Sequence, residues 1–368
     1  MQDVYLYSIG TAVPENKLKQ TEILEMMEER YQLDRKDRFA LRQVYHYSGI
    51  EYRHSVLTDI RDTGSNFDEL AESNGEGSTI DMRMGLFEDH ALALATQATD
   101  NCQAHLPDFD KNAITHLVSF SCTGMYAPGL DIQLVNQLEL DSSVERICIN
   151  FMGCYAAFNA LKSAYHIVRS QPKAVVLLSG VELCSLHFQN STVLQQMVAN
   201  ALFSDGAASV IVAGEDAVVE TQQQPLCISD FHADLKDAGK DEMVWRIGEH
   251  GFNLTLSPYV SDLVEGGIGD LVQRLLSAKN INKEDIDSFA IHPGGKKILE
   301  ATERALALSP DDNALSYEIL RDYGNMSSVT VLFILEKLMN QDAEAGRQIL
   351  SSAFGPGLTM EAMLFETS

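Results

Sequence analysis

Three residues far apart in the chain, Cys154, His292 and Asn325, have side chains whose types could do chemistry together. A cysteine with a distant histidine and asparagine is the composition of a thiol-based acyl-transfer site. Cys154 lies in the stretch 146–158, which reads as a short apolar strand, a sharp turn at Gly153 and then a helix from Ala156 to about Ile167. That places Cys154 at or next to a helix start, where free backbone N–H groups and the positive end of the helix dipole favour a thiolate, the nucleophilic form. Each of the three also has a purely structural reading. Free cysteine is often a small core hydrophobe, His292 could satisfy a neighbour, and Asn325 could cap a helix beginning near Met326. Spacing alone does not bring the three together.

Stepping outward, the chain predicts the elements that would carry them. Strand-like runs at 4–13, 114–120, 173–180 and 203–212 alternate with helical patterns at 21–31, 82–102, 131–138 and 192–202. The run 173–180 is continuously apolar, as expected of a strand buried on both faces. Residues 34–56 read as mixed, and the polar stretch 58–79 as an exposed loop. An acidic, Gln-rich piece from Gly214 to Pro225 marks a boundary, giving halves 1–214 and 215–368. The second half has strands near 226–228, 288–292, 347–353 and 358–365, with helices near 258–278, 294–307 and 326–338. Such alternation predicts an α/β fold with a mostly parallel sheet covered on both sides. Cys154, His292 and Asn325 each end a strand or open a helix, and in open α/β sheets ligands gather beyond the carboxyl ends of strands.

A chain of 368 residues is long for a single simple core. A hydrophobic content of 45% and a charged content of 22% are those of a globular domain. The formal charge of −26 argues against nucleic acid and anionic membranes as partners. No apolar run is long enough to span a bilayer, and the N-terminal stretch reads as a first strand in place of a signal peptide. The six cysteines form no CxxC pair or Cys/His cluster, so no metal site is expected and a reduced, cytoplasmic setting fits.

Several motifs, in order along the chain, resemble those of type III polyketide synthases of the chalcone and stilbene synthase kind, in a bacterial version. They are Thr123-Gly124 followed by Ala127-Pro128-Gly129-Leu130-Asp131, Gly153-Cys154-Tyr155-Ala156, the segment 201–208, Ile291-His292-Pro293-Gly294-Gly295, Tyr323-Gly324-Asn325-Met326-Ser327-Ser328 and the loop 353–359. The resemblance covers about residues 5–365. It implies a thiolase-like five-layer αβαβα fold of two similar halves, the first carrying the nucleophile and the second the histidine and asparagine, and a homodimer. It implies that Cys154 carries the acyl or polyketide chain as a thioester, that His292 holds the thiolate as an ion pair, and that His292 and Asn325 bind the thioester carbonyl while malonyl decarboxylates. Small acyl and malonyl thioesters are the implied substrates, with no cofactor.

The same comparison assigns substrate-binding positions. Phe203 matches a gatekeeper and Glu182 a cavity-lining glutamate, and the Gly355-Pro356-Gly357 loop would shape the cavity from its backbone. Departures stand beside these matches. Leu254 replaces a second gatekeeper phenylalanine, His187 and Cys184 replace threonines, and Cys122 and Ala127 also differ. They point away from a phenylpropanoid starter and towards a fatty or short acyl group. At the expected coenzyme A entrance, 47–54, Arg53 is the one firm cation, opposed by Glu51. Either other residues hold the phosphates or an acyl carrier protein delivers the starter. A single-condensation 3-oxoacyl synthase of the ketosynthase III kind and a non-catalytic partner subunit of a heteromeric synthase are the alternative readings.

Overall fold

The computed structural model describes residues 2–30, 33–57, 78–217, 220–341 and 344–368. The first part of the chain forms β1 (Val4–Ala12), β2 (Lys17–Lys19), α1 (Gln20–Arg30), α2 (Arg35–His46), β3 (Tyr52–His54), α3 (Ile80–Ala104), β4 (His116–Ser121), α4 (Leu130–Gln137), β5 (Glu145–Asn150), α5 (Ala156–Ser170), β6 (Val175–Leu183), α6 (Leu194–Leu202) and β7 (Asp205–Gly214). The second part forms β8 (Leu226–Leu235), β9 (Met243–Gly248), β10 (Gly251–Leu256), α7 (Val260–Lys279), β11 (Ile286–Ile291), α8 (Lys296–Leu306), α9 (Ala314–Tyr323), α10 (Thr330–Met339), β12 (Gln348–Gly355) and β13 (Thr359–Thr367).

Nine strands form one continuous sheet in the order β11-β12-β13-β8-β1-β7-β6-β4-β5. The expected mostly parallel sheet is corrected here. Only β11/β12, β6/β4 and β4/β5 run parallel, and every other adjacent pair runs antiparallel. The reason lies in burial: β6 and β7 are buried along their whole length. An apolar run reports burial on two faces, and not strand direction.

The sheet divides at β1/β8, which share a two-residue register, Tyr5 with Cys227 and Leu6 with Leu226. Three apolar cores then separate five layers. Phe87, Ala91, Leu94 and Ala98 of α3 pack on Leu117, Leu177 and Ile211 of the N-terminal strands. Phe158 and Leu161 of α5 and Leu332 and Phe333 of α10 fill the middle, between Val118 and Leu178 on one side and Ile349 and Phe365 on the other. Ile268 and Leu271 of α7 and Leu299 of α8 cover Ile291, Leu350 and Leu364 outside the C-terminal strands. This is the αβαβα sandwich that the resemblance implies, with two helices buried at its centre.

Two other local expectations change. Residues 35–46 form α2, a helix whose apolar anchors are only Leu41 and Tyr45, one turn apart. Of the stretch read as an exposed loop, 58–77 lies outside the described residues, Ser78 is buried, and the Thr79 side chain caps α3 by accepting from Met82 N.

Candidate active site

Cys154 sits in the turn between β5 and α5, two residues before the helix begins. The turn is tightly specified. Phe151 and Gly153 have φ of 62° and 90°, and a Cβ on Gly153 would collide with the Pro356 ring. Gly355 is equally constrained, because a Cβ there would enter the Tyr155 ring. The nucleophile loop and the Gly355-Pro356-Gly357 loop are therefore pressed backbone to backbone, an approach that only glycine permits. From β4, Cys122 closes the turn on its other side, with Sγ accepting from Gly153 N at 2.9 Å and donating to Gly153 O at 3.1 Å.

His292 directly follows β11, tied by its backbone N–H to Ser352 O at 2.8 Å. Its side chain is buried, and neither ring nitrogen has a hydrogen-bond partner. Asn325 enters α10 through a 3-10 turn, Ser327–Val329, and its Oδ1 accepts from Ser327 N at 2.8 Å. The expected N-cap is corrected to a turn one residue ahead of the cap Met326, and this turn orients the amide: Nδ2 donates to Gly294 O at 3.2 Å, next to His292. The Asn325 backbone also bridges to the 202–204 segment, donating to Leu202 O and accepting from Ser204 N, each at 2.9 Å.

Cys154, His292 and Asn325 line one cavity of about 460 Å³, together with Phe203, Leu254, Pro356, Cys122, Cys184, Trp245 and Ser327. Burial in this largely apolar space pushes the Cys154 thiol up to about 12. The side chains of Ser327 and Asn325 hydrogen-bond to the sulfur and pull the other way, while the Glu182 carboxylate adds to the upward push. Burial likewise drives His292 down to about 3. Each charge alone is therefore opposed in this site. The helix start alone, invoked from sequence, does not outweigh desolvation.

The remaining assigned residues separate into those that reach the cavity and those that do not. Phe203 and Leu254 form part of a wall shared with a smaller, adjoining cavity of about 60 Å³. Pro356 faces the cavity, whereas Gly355 and Gly357 stand behind it, so the backbone-shaping role expected of all three narrows to one.

Glu182 is fully buried and does not line the cavity. It accepts from Cys122 N at 2.9 Å, from Thr123 Oγ1 at 2.8 Å and from Ser328 Oγ, stapling the end of β4 to the turn that carries Asn325. It is not the cavity-lining residue that the resemblance implied. Burial is also what raises its carboxyl, against these hydrogen bonds.

His187 is corrected as well. It stacks on Phe252 at 3.9 Å and donates through Nε2 to Thr123 O at 2.7 Å. It faces the smaller cavity, and burial drives it down to about 3.

Arg53 is buried and does not grip phosphates at an entrance. Its Nη1 donates to Asn200 O at 2.6 Å and Phe203 O at 2.9 Å, holding the end of α6 and the Phe203 backbone in place.

Sequence reading missed Trp245, the chain's single tryptophan, which joins the Phe203 wall edge-to-face and donates to Cys122 O at 3.2 Å. Its rarity was the available signal. Ser327, with φ of 49° and a hydrogen bond to the Cys154 sulfur, was visible only as part of a motif.

A five-layer sandwich with a cysteine, a histidine and an asparagine on one apolar cavity defines a condensing acyltransferase of the thiolase-like class. Residues 3–216 match the N-terminal domain and residues 235–368 the C-terminal domain of the chalcone and stilbene synthases, and the chain belongs to that family. It is 32% identical over 361 residues to the alpha-pyrone synthesis polyketide synthase-like Pks18 of Mycobacterium tuberculosis, covering 97% of this chain and 90% of that one. It is 28% identical to 1,3,6,8-tetrahydroxynaphthalene synthase of Streptomyces peucetius, over 97% and 93% of the two chains. The solved C-terminal type III polyketide synthase domain of Steely1, a type I/III hybrid from Dictyostelium, superimposes with a TM-score of 0.88 at 28% identity, over 99% of both chains. As a type III polyketide synthase the protein extends an acyl thioester starter with malonyl units by decarboxylative condensation. The single-condensation and partner-subunit readings gain no support from these relatives.

Proposed function

We propose that Cys154 is the acyl carrier, His292 its proton partner, and His292 with Asn325 the donor pair for the decarboxylation oxyanion. The observation that carries this reading is their convergence on one apolar cavity, with both ring nitrogens of His292 unpartnered there. Buried polar groups normally find partners, so an imidazole without one among the described residues, on the same cavity as a thiol, is a group kept for chemistry.

The steps follow. Cys154 Sγ attacks the starter thioester while its proton passes to His292, and the carrier thiol leaves with that proton. A malonyl thioester then occupies the cavity and loses carbon dioxide. The enolate oxygen is met by Asn325 Nδ2–H and by the His292 N–H, where preorganised donors in an apolar space lower the barrier most. The enolate carbon attacks the acyl-Cys154 carbonyl, expelling the Cys154 sulfur and leaving a chain two carbons longer on the incoming thiol. Return of that chain to Cys154 permits another round.

Malonyl-CoA is the extender in this reading, and no metal or redox group takes part. Among the described residues no cluster of metal-ligating side chains occurs and no helix is long and apolar enough to cross a membrane. The apolar lining favours a fatty or short acyl starter. We place the protein in the cytoplasm and divide it near residue 214, where β7 ends. A homodimer is supported by β5, a sheet-edge strand that is solvent-exposed along most of its length. The test is mass spectrometry of the protein with a panel of acyl-CoA starters: a thioester adduct on Cys154 is expected, and turnover without one contradicts the reading.

A further inference from the structure

The entrance of the cavity has Lys296 and Lys297 in its wall and an outlying strip of positive charge beside it. Its lining grades from the buried His292 and Asn325 out to the exposed Tyr47, Pro258 and Lys297. On the α2 side the lining residues are Gln43, Val44 and Tyr47, none of them charged. The cations of α2 stand just outside. Arg35, Lys36, Arg38 and Arg42 are all exposed and are opposed within the helix by Asp37 alone, a formal excess of +3 (four cations, one anion) in a chain of net charge −26.

Residues 35, 38, 42 and 46 recur at helical spacing, so the basic strip runs alongside the stripe that reaches the entrance. Phe39, on the same surface, is 64% exposed, and Tyr47 is 63% exposed. Arg42 is engaged by Glu28, whose carboxylate Arg38 also faces at longer range, and Arg35 and Lys36 complete the strip. Lys296, which packs beside Gly49 and also meets Glu300 at 3.9 Å, and Lys297 line the entrance at the start of α8.

We propose that this strip docks an acidic acyl carrier protein, which delivers the starter to Cys154. The inference rests on Cys154 being the acyl acceptor. Lys296 and Lys297, on the passage itself, suit the phosphates of either kind of carrier, whereas the α2 cations stand outside the lining, where a macromolecular carrier reaches them. These cations span Arg35 to Arg42, about 11 Å of helix, a surface against which a partner helix can lie. A protein of charge −26 repels an acidic partner in general, so a local basic strip beside an exposed aromatic decides where such a partner lands. The phosphodiester of the carrier's pantetheine arm would then pass Lys296 and Lys297. The transfer is balanced: acyl-S-carrier and Cys154 thiol give acyl-Cys154 and carrier thiol.

The experiment follows acyl transfer to Cys154 by intact-protein mass spectrometry, from a decanoyl-loaded acidic type II acyl carrier protein and separately from decanoyl-CoA. For the double variant Arg35→Glu, Arg38→Glu we expect the rate from the carrier protein to fall about tenfold or more, with transfer from decanoyl-CoA unchanged. In the unaltered protein, raising ionic strength should slow transfer from the carrier protein selectively. Equal losses with both donors would assign the strip to the nucleotide and overturn the proposal. So would no loss with either, or no transfer from the carrier protein while decanoyl-CoA acylates Cys154 normally. Failure of both donors to acylate the unaltered protein would instead contradict the role of Cys154.

Discussion

The two sets of strands repeat one plan. In the N-terminal set β4 and β6 run parallel, and β6, β7 and β1 alternate; in the C-terminal set β11 and β12 run parallel, and β12, β13 and β8 alternate. The outer helices α3 and α7 occupy matching places, as do the central helices α5 and α10. By this correspondence Cys154 and Asn325 are counterparts, each at the approach to a central helix. Cys122 and His292 are counterparts too, each just past the end of a matching strand. The sets differ in what fills those places and in β5, which has no equivalent among the described C-terminal strands. A repeated scaffold brings these four residues to one cavity, while the proposed chemistry is divided: a nucleophile from one set, a base and an amide donor from the other.

Substitutions at these counterpart positions should therefore have unequal effects. Cys154→Ala should abolish condensation, a loss on the order of 10⁴-fold or more, while malonyl decarboxylation persists; radiolabelled malonyl-CoA followed for carbon dioxide and for product separates the two. Asn325→Ala should slow decarboxylation itself by about 10²–10³-fold, the usual effect of removing one oxyanion donor. Decarboxylation at the original rate would remove Asn325 from the proposed donor pair.

Glycines sharpen the comparison on the stability side. Gly153→Ala, with its positive φ and the Pro356 ring in the way, should cost about 2–4 kcal/mol in urea unfolding. Gly346→Ala, also at positive φ but with open space around it, should cost only about 1 kcal/mol.

The smallest effect concerns acid. His187 is held near 3 in the folded protein against an ordinary value near 6.5, so the unfolded chain binds more protons between those values. Its share of stability is present above pH 6.5 and is lost as pH falls towards 3. Asp205, raised to about 6 by burial, acts oppositely: its share is present below its ordinary value of 3.8 and is lost as pH rises through 6. His187→Phe should flatten the pH dependence of the unfolding midpoint below 6.5; an unaltered slope would contradict the burial argument.

Much of this was legible before the structure. The strand, turn and helix around Cys154 carry their own periodicity, and the glycines at 153 and 355 mark the close approach between two loops. What the sequence concealed was environment. Glu182, His187 and Arg53 look alike whether they face a ligand, solvent or a buried backbone carbonyl, and only packing decides among these. Strand direction was hidden for a related reason, since β6 and β7 are apolar on both faces whichever way they run. Helix α2 escaped because its composition is strongly polar, although its few apolar residues, Leu41, Val44 and Tyr45, gather on one face. The thiol-imidazole pair lies at the same limit: its residues were readable, but the opposition of burial to either charge alone was not.

That pairing is the central claim, and the pH profile of Cys154 alkylation tests it most directly. With iodoacetamide and peptide mapping, the unaltered protein should be modified at Cys154 near neutral pH. In His292→Gln the thiol loses its proton acceptor, and modification should move to strongly alkaline pH, towards the value near 12 that burial alone imposes. Superimposable profiles for the two proteins would show that His292 does not activate Cys154.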